Sequence, residues 1–170
     1  MVCSKILDTS ELITLLEVLR DEDLMQSFSK AGYQLVVTNV VRDEFCVKGD
    51  DTVLQQYVQN GVMRIAGVVC ADDLEFKSMA WGLDKGEISV IDYVMGNSKE
   101  EVYPVVGETS ARSFLKHQEG IPFCGIVGLI GRLARKGLVG ATSLKRYYDR
   151  IIESGIRISP KLMREEWNLK

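Results

Sequence analysis

The chain has 170 residues, 46% apolar and 26% charged, which points to one ordinary globular domain able to bury roughly 70% of its unfolded surface. Four cysteines without a CxxC pair and no apolar run near the ~18 residues a bilayer demands argue against a disulfide scaffold and a membrane-spanning role. The net charge of −3 conceals a split: residues 1–111 carry 9 Lys and Arg against 19 Asp and Glu, whereas residues 112–170 carry 12 against 5.

The N-terminal Met1-Val2-Cys3-Ser4-Lys5 leads directly into a strand without a signal-peptide core, so a cytoplasmic protein with reduced thiols is expected. Ile6-Leu7-Asp8 reads as the end of a buried strand. Thr9 or Ser10 then caps a helix whose Leu12, Ile13, Leu15, Leu16 and Leu19 follow the helical period. Asp21-Glu22-Asp23 opens a second short helix through Phe28, which Gly32 ends. Residues 34–38 return as a strand, and Thr38 caps a helix holding Val40, Val41, Glu44 and Phe45. A helix is predicted over 51–59, a strand over 62–65, and a helix from Asp72-Asp73 through Met79.

After Gly86, apolar positions Ile88, Ile91 and Met95 mark another helix; residues 103–106 form a strand, and Thr109-Ser110 cap a helix from Ala111 to Gln118. A short strand over 120–124 precedes a helix from Leu129 to Arg135, ended by Gly137. Helices near 143–153 and 159–167 close the chain, with Ser159 as cap and Pro160 at a first helical position. Such alternation, with no internal repeat and no linker, predicts a single α/β domain with a mostly parallel sheet, and a helical C-terminal extension at about 142–170.

Four carboxylates stand at strand ends or helix starts. Asp8 closes the first strand, Glu44 follows the second, Glu87 follows Gly86, and Glu108 follows Pro104-Val105-Val106-Gly107. Right-handed crossovers bring the C-terminal ends of parallel strands to one edge, so these residues can share a crevice. Carboxylates packed there repel by roughly 4 kcal/mol per pair at ~4 Å and an effective dielectric of ~20 unless protons or a divalent cation intervene. Oxygen-only donors suit Mg²⁺ or Mn²⁺. The basic second half would draw a polyanion toward such a pocket.

The succession Asp8-Thr-Ser, Val-Val-Arg-Asp-Glu44-Phe, Leu-Asp-Lys-Gly-Glu87-Ile-Ser-Val-Ile and Val-Val-Gly-Glu108-Thr-Ser-Ala-Arg112 resembles the PIN domain nearly end to end. The stretch from Gly120 to Val139 is similar to the last strand and helix of the solitary prokaryotic PIN proteins. The resemblance implies a three-layer α/β/α domain and metal-dependent hydrolysis of phosphodiester bonds, most often in RNA. It also implies a homodimer and, as for many relatives, an antitoxin-like protein partner.

Carried onto this chain, the resemblance makes Asp8, Glu87 and Glu108 the ligands of Mg²⁺ or Mn²⁺, with Glu44 holding a second ion or orienting the attacking water. Ser10 is a candidate to hydrogen-bond a ligand carboxylate or the scissile phosphate, and Arg112, one turn past Glu108, to clamp a phosphate. The only histidine, His117, reads as a surface residue. The fourth acid, usually aspartate in the family, is here Glu108, one methylene longer. That departure keeps a second reading open, a catalytically weakened PIN-like module that binds RNA or another protein. A third, in which Asp8 accepts a phosphoryl group as in receiver domains, lacks the acidic pair such chains carry near the first strand.

Overall fold

Near-continuous apolar runs at Ile6-Leu7 and Leu35-Val36-Val37 are the pattern of strands covered on both faces. In the computed structural model, which describes residues 3–67, 71–97, 100–117 and 121–169, they belong to β1 (Cys3–Leu7) and β2 (Tyr33–Thr38). With β3 (Met63–Ala66) and β4 (Val102–Val105) they form an all-parallel sheet in the order β3-β2-β1-β4. Leu7 lies opposite both Val37 and Val105, so the C-terminal ends of β1, β2 and β4 are level. Helices flank this sheet, giving the expected α/β architecture.

Helix α1 (Thr9–Ile13) passes into a π-helical segment, Thr14–Leu19, followed by α2 (Glu22–Lys30). The wider turns still bury Leu15, Leu16 and Leu19, and Arg20 ends the segment in the left-handed region at φ 43°. Next come α3 (Asn39–Lys48), α4 (Asp51–Gln59), α5 (Ala71–Trp81), α6 (Lys85–Gly96) and α7 (Thr109–Lys116). The last three are α8 (Ile126–Arg135), α9 (Ala141–Ser154) and α10 (Pro160–Trp167). Among the described residues, no helix is long and apolar enough to cross a membrane.

Four local expectations are corrected. Asp8, not Thr9 or Ser10, caps α1, and α7 begins at Thr109 with Glu108 in the capping position. In both places the carboxylate side chain precedes a Thr-Ser pair that is already helical. Residues 121–124 contribute only a bridge from Cys124 to Val105, and Gly120 lies outside the described residues, as does Gln118. Helix α8 starts three residues early, at Ile126, because Gly125 takes an extended cap conformation and the Ile126 N–H finds an acceptor on Glu11. Cys3, Cys46 and Cys124 are free thiols, whereas Cys70 and the side chain of Asp72 lie outside the described parts.

A buried hydroxyl pair fixes α6 to the sheet. Ser89 Oγ donates to the Gly86 carbonyl at 2.7 Å, so its bond to Thr38 Oγ1, also 2.7 Å, takes the threonine proton. The same Thr38 oxygen accepts from the Val41 N–H and caps α3. Thr38→Val keeps the shape but removes the cap and the bond donated to Ser89, so urea unfolding should show a loss of about 2 kcal/mol.

The C-terminal helices spend much of their positive charge internally. Arg146 pairs with Asp21 and Arg150 donates to the Leu19 carbonyl, which ties α9 to the end of the π-helical segment. Trp167 is buried and donates from Nε1 to the Val127 carbonyl at 2.9 Å, fastening α10 to α8, and Arg135 meets Glu166 at 3.3 Å. Lys5, buried in β1, rests its ammonium 4.0 Å from the Tyr103 ring and 4.9 Å from that of Tyr33. Cation–π attraction of roughly 0.5–2 kcal/mol offsets part of its desolvation.

Candidate functional site

The site grows from the residue after β1. Asp8 caps α1 through Oδ1, which accepts from the Glu11 N–H at 2.8 Å and from Ser10 Oγ at 2.9 Å. Its Oδ2 accepts from the Gly107 N–H, just past β4, at 2.9 Å. Such bonds favour the carboxylate, yet burial outweighs them and the nearby Glu87 charge adds to it, so the Asp8 pKa is pushed up to about 6.

Glu87 is held from a separate segment. It sits at the third position of α6 in a reciprocal capping box: Asp84 Oδ1 accepts from the Glu87 N–H, and Glu87 Oε2 accepts from the Asp84 N–H. Its other oxygen accepts from Ser110 Oγ at 2.7 Å, which links α6 to the first turn of α7. Glu44, on α3, accepts from Thr9 Oγ1 at 2.5 Å and lies so close over Gly86 that a Cβ there would collide with its carboxylate. Glu108 caps α7 by position without a side-chain capping bond and is exposed.

These four acids line one cleft of about 560 Å³ with Ser10, Thr9, Ser110, Asp84 and the exposed Lys48. The cleft lies at the C-terminal edge of the parallel sheet, where crevices of this architecture form. The chain matches a family model described as a PIN domain over residues 4–168. The protein belongs to the PIN-domain family. No curated protein matches it.

PIN domains are generally nucleases and typically use divalent metal ions, which makes the donor chemistry of this cleft the relevant test. Four carboxylates from separate segments, with no His or Cys among the cleft's lining residues, suit a hard cation. The raised Asp8 pKa marks negative charge in want of compensation. In this conformation Asp8, Glu44 and Glu87 are engaged by hydroxyl and amide donors, and among the described residues no three acidic, His or Cys side chains form a ready-made ligand cluster. By donor type these residues fit a hard cation, and here the hydroxyls of Thr9, Ser10 and Ser110 occupy their oxygens.

Two further residues named from the sequence differ in whether they reach the cleft of this PIN domain. Ser10 bonds to Asp8 and lines both the cleft and a neighbouring hollow of about 690 Å³. Arg112 lines only the hollow, where its Nε donates to the Val106 carbonyl at 2.8 Å. It stands beside Glu11 and Gly125 rather than over the acids.

Thr9, Ser110 and Glu11 are site residues that the sequence reading did not name as such. The pattern acid-Thr-Ser occurs twice, at Asp8-Thr9-Ser10 and Glu108-Thr109-Ser110, and both serines and Thr9 donate to cleft carboxylates. Glu11 is the larger omission. It is buried, and desolvation, with the Asp8 charge second, pushes its pKa up to about 8. Its position four residues before Leu15 and eight before Leu19, a charge on an apolar face, was the available signal.

Proposed function

We propose that this PIN domain is a Mg²⁺- or Mn²⁺-dependent endoribonuclease working at the cleft of Asp8, Glu44, Glu87 and Glu108. What carries the reading is the convergence of these four acids, from four separate segments, on one cleft, with Asp8 buried and its pKa raised. Asp8, Glu87 and Glu108 would hold the cation. When bound, it supplies charge neutralisation on the phosphate oxygens and a water of lowered pKa.

The chain's own residues do the rest. Ser10 and the Glu11 and Gly107 amides keep Asp8 aimed, and Ser110 and the Asp84 amide do the same for Glu87. Glu44, oriented by Thr9, accepts a proton from the attacking water or holds a second ion. Lys48 at the cleft and Arg157 in the adjoining hollow offer positive charge to the flanking phosphates. By analogy with the family we further infer a single-domain, cytoplasmic homodimer and an antitoxin-like protein as a candidate partner.

A second reading is a PIN module that binds RNA without cutting it. The engagement of the carboxylates by hydroxyls and amides favours it. Incubating a mixed RNA pool with the purified protein and Mn²⁺, Mg²⁺ or chelator separates the two. Metal-dependent fragments support the nuclease; intact RNA that still binds supports the module.

Binding itself should be salt-sensitive. Arg132, Lys145 and Arg157 are exposed in the basic second half. If these three cations each neutralise a phosphate of single-stranded RNA, the log–log slope is about −2, so a fourfold rise in salt weakens binding roughly twentyfold. A flat response in a filter-binding titration would remove this surface from the account.

A further inference from the structure

Glu11 is a buried carboxylate that the reaction above leaves without a duty, and three segments close around it. Its N–H donates to Asp8 Oδ1 at 2.8 Å, while its own Oε1 accepts from the Ile126 N–H, the first residue of α8, at 3.1 Å. Two glycines stand against the carboxylate. A Cβ on Gly107 would lie 3.1 Å from Glu11 Oε1 and 2.8 Å from Ser10 Oγ. One on Gly125 would lie 3.0 Å from the same oxygen and would collide with the Arg112 guanidinium. Both backbones thus press on the Glu11 carboxylate more tightly than most side-chain-bearing residues could without a neighbour giving way.

We propose that Glu11 is a positioning residue: it fastens the start of α8 and the turn after β4 to the first turn of α1, and so sets Asp8 and Glu108 toward the acidic cleft. The functional half of this proposal rests on the nuclease reading. Glu11 lines the hollow and not the cleft, so it acts through others. The Gly107 N–H reaches Asp8 Oδ2, and the next residue is Glu108, so a relaxed Gly107 turn displaces both acids together. Arg112 closes the same turn from the other side by donating to the Val106 carbonyl.

The test compares Glu11→Gln, which keeps an acceptor of the same shape for the Ile126 N–H, with Glu11→Leu, which removes it. Three readouts are taken well below each melting temperature: Mn²⁺ affinity of the metal-free protein, amide exchange over residues 105–112 and 124–129, and the kinetics of RNA cleavage. Glu11→Leu should weaken Mn²⁺ binding and lower kcat by about 10–100-fold with KM little changed, as loss of a supporting contact does. Exchange at Gly107 and Ile126 should accelerate, and Glu11→Gln should restore most of all three.

Folded Glu11→Leu protein with unchanged Mn²⁺ affinity, kcat and exchange would overturn the proposal, leaving Glu11 a core residue only. Glu11→Gln as impaired as Glu11→Leu would overturn it too, since charge rather than fastening would then matter. Should the unaltered protein neither bind Mn²⁺ nor cut RNA, the nuclease reading fails by itself. The exchange rates at Gly107 and Ile126 then decide the fastening, faster in Glu11→Leu for it and unchanged against it.

Discussion

Asp8→Asn is expected to lower metal-dependent RNA cleavage by about 10²–10³-fold while leaving the protein folded, an effect of the size seen when one preorganised electrostatic contact is removed from an active site. Asparagine caps helices about as well as aspartate, so α1 keeps its start. What changes is charge and one hydrogen bond. Asp8 accepts on both oxygens, from Ser10, Glu11 and Gly107, and an amide group must set its NH₂ against one of those donors. That mismatch costs about 1–3 kcal/mol, offset in part by removing a buried charge that Glu87 and Glu11 both repel. Circular dichroism melts beside cleavage assays in Mn²⁺ would check both halves; cutting at the unaltered rate by the folded variant would dissociate the cleft from the chemistry.

The metal-free protein should be more stable at pH 5 than at pH 8, the reverse of what paired carboxylates give. Asp8 is raised from 3.8 to about 6 and Glu11 from 4.5 to about 8, in each case first by burial. The folded state therefore binds more protons than the unfolded chain between pH 4 and 8. Its stability is full below the unfolded pKa values and is lost as pH climbs through the folded ones. The loss is on the order of a few kcal/mol, or about 5–15 °C in melting temperature for a chain of this size. Glu17 acts in the opposite sense, its carboxylate held low by the Asp50 N–H and by Arg20, but only at more acid pH and from a half-buried position.

Glu11→Gln should flatten most of that slope. Because a cation binds the deprotonated acids, Mn²⁺ or Mg²⁺ should recover stability at pH 8 and do little at pH 5. Thermal scans across this range with metal and with chelator give the answer directly. A flat profile in chelator would mean that water reaches both carboxylates.

Much of the architecture was legible because its signals are local. Apolar runs at residues 6–7 and 35–37, the helical spacing of Leu12 through Leu19, and Gly32 and Gly61 at positive φ each act within a few residues. Asp21, Thr38, Asp84 and Ser159 cap helices as their types allow. Boundaries were misread where a distant partner intervened. Ile126 became helical because Glu11, 115 residues earlier, accepts its N–H, and the strand over 120–124 shrank to one bridge at the sheet edge.

The candidate site divides the same way. The sequence alone determined which acids stand at strand ends and helix starts, since Asp8, Glu44, Glu87 and Glu108 occupy positions that a parallel sheet gathers on one edge. Only the tertiary structure decided how each is held: Thr9 on Glu44, Ser110 on Glu87, Gly107 on Asp8, and Arg112 turned toward Val106. It also decided that Glu11, a charge on the apolar face of its helix, is buried between two glycines. The physical reason is range. Period and capping are written in neighbouring residues, whereas desolvation and hydrogen bonding between segments 23 to 115 residues apart exist only once the chain has closed on itself.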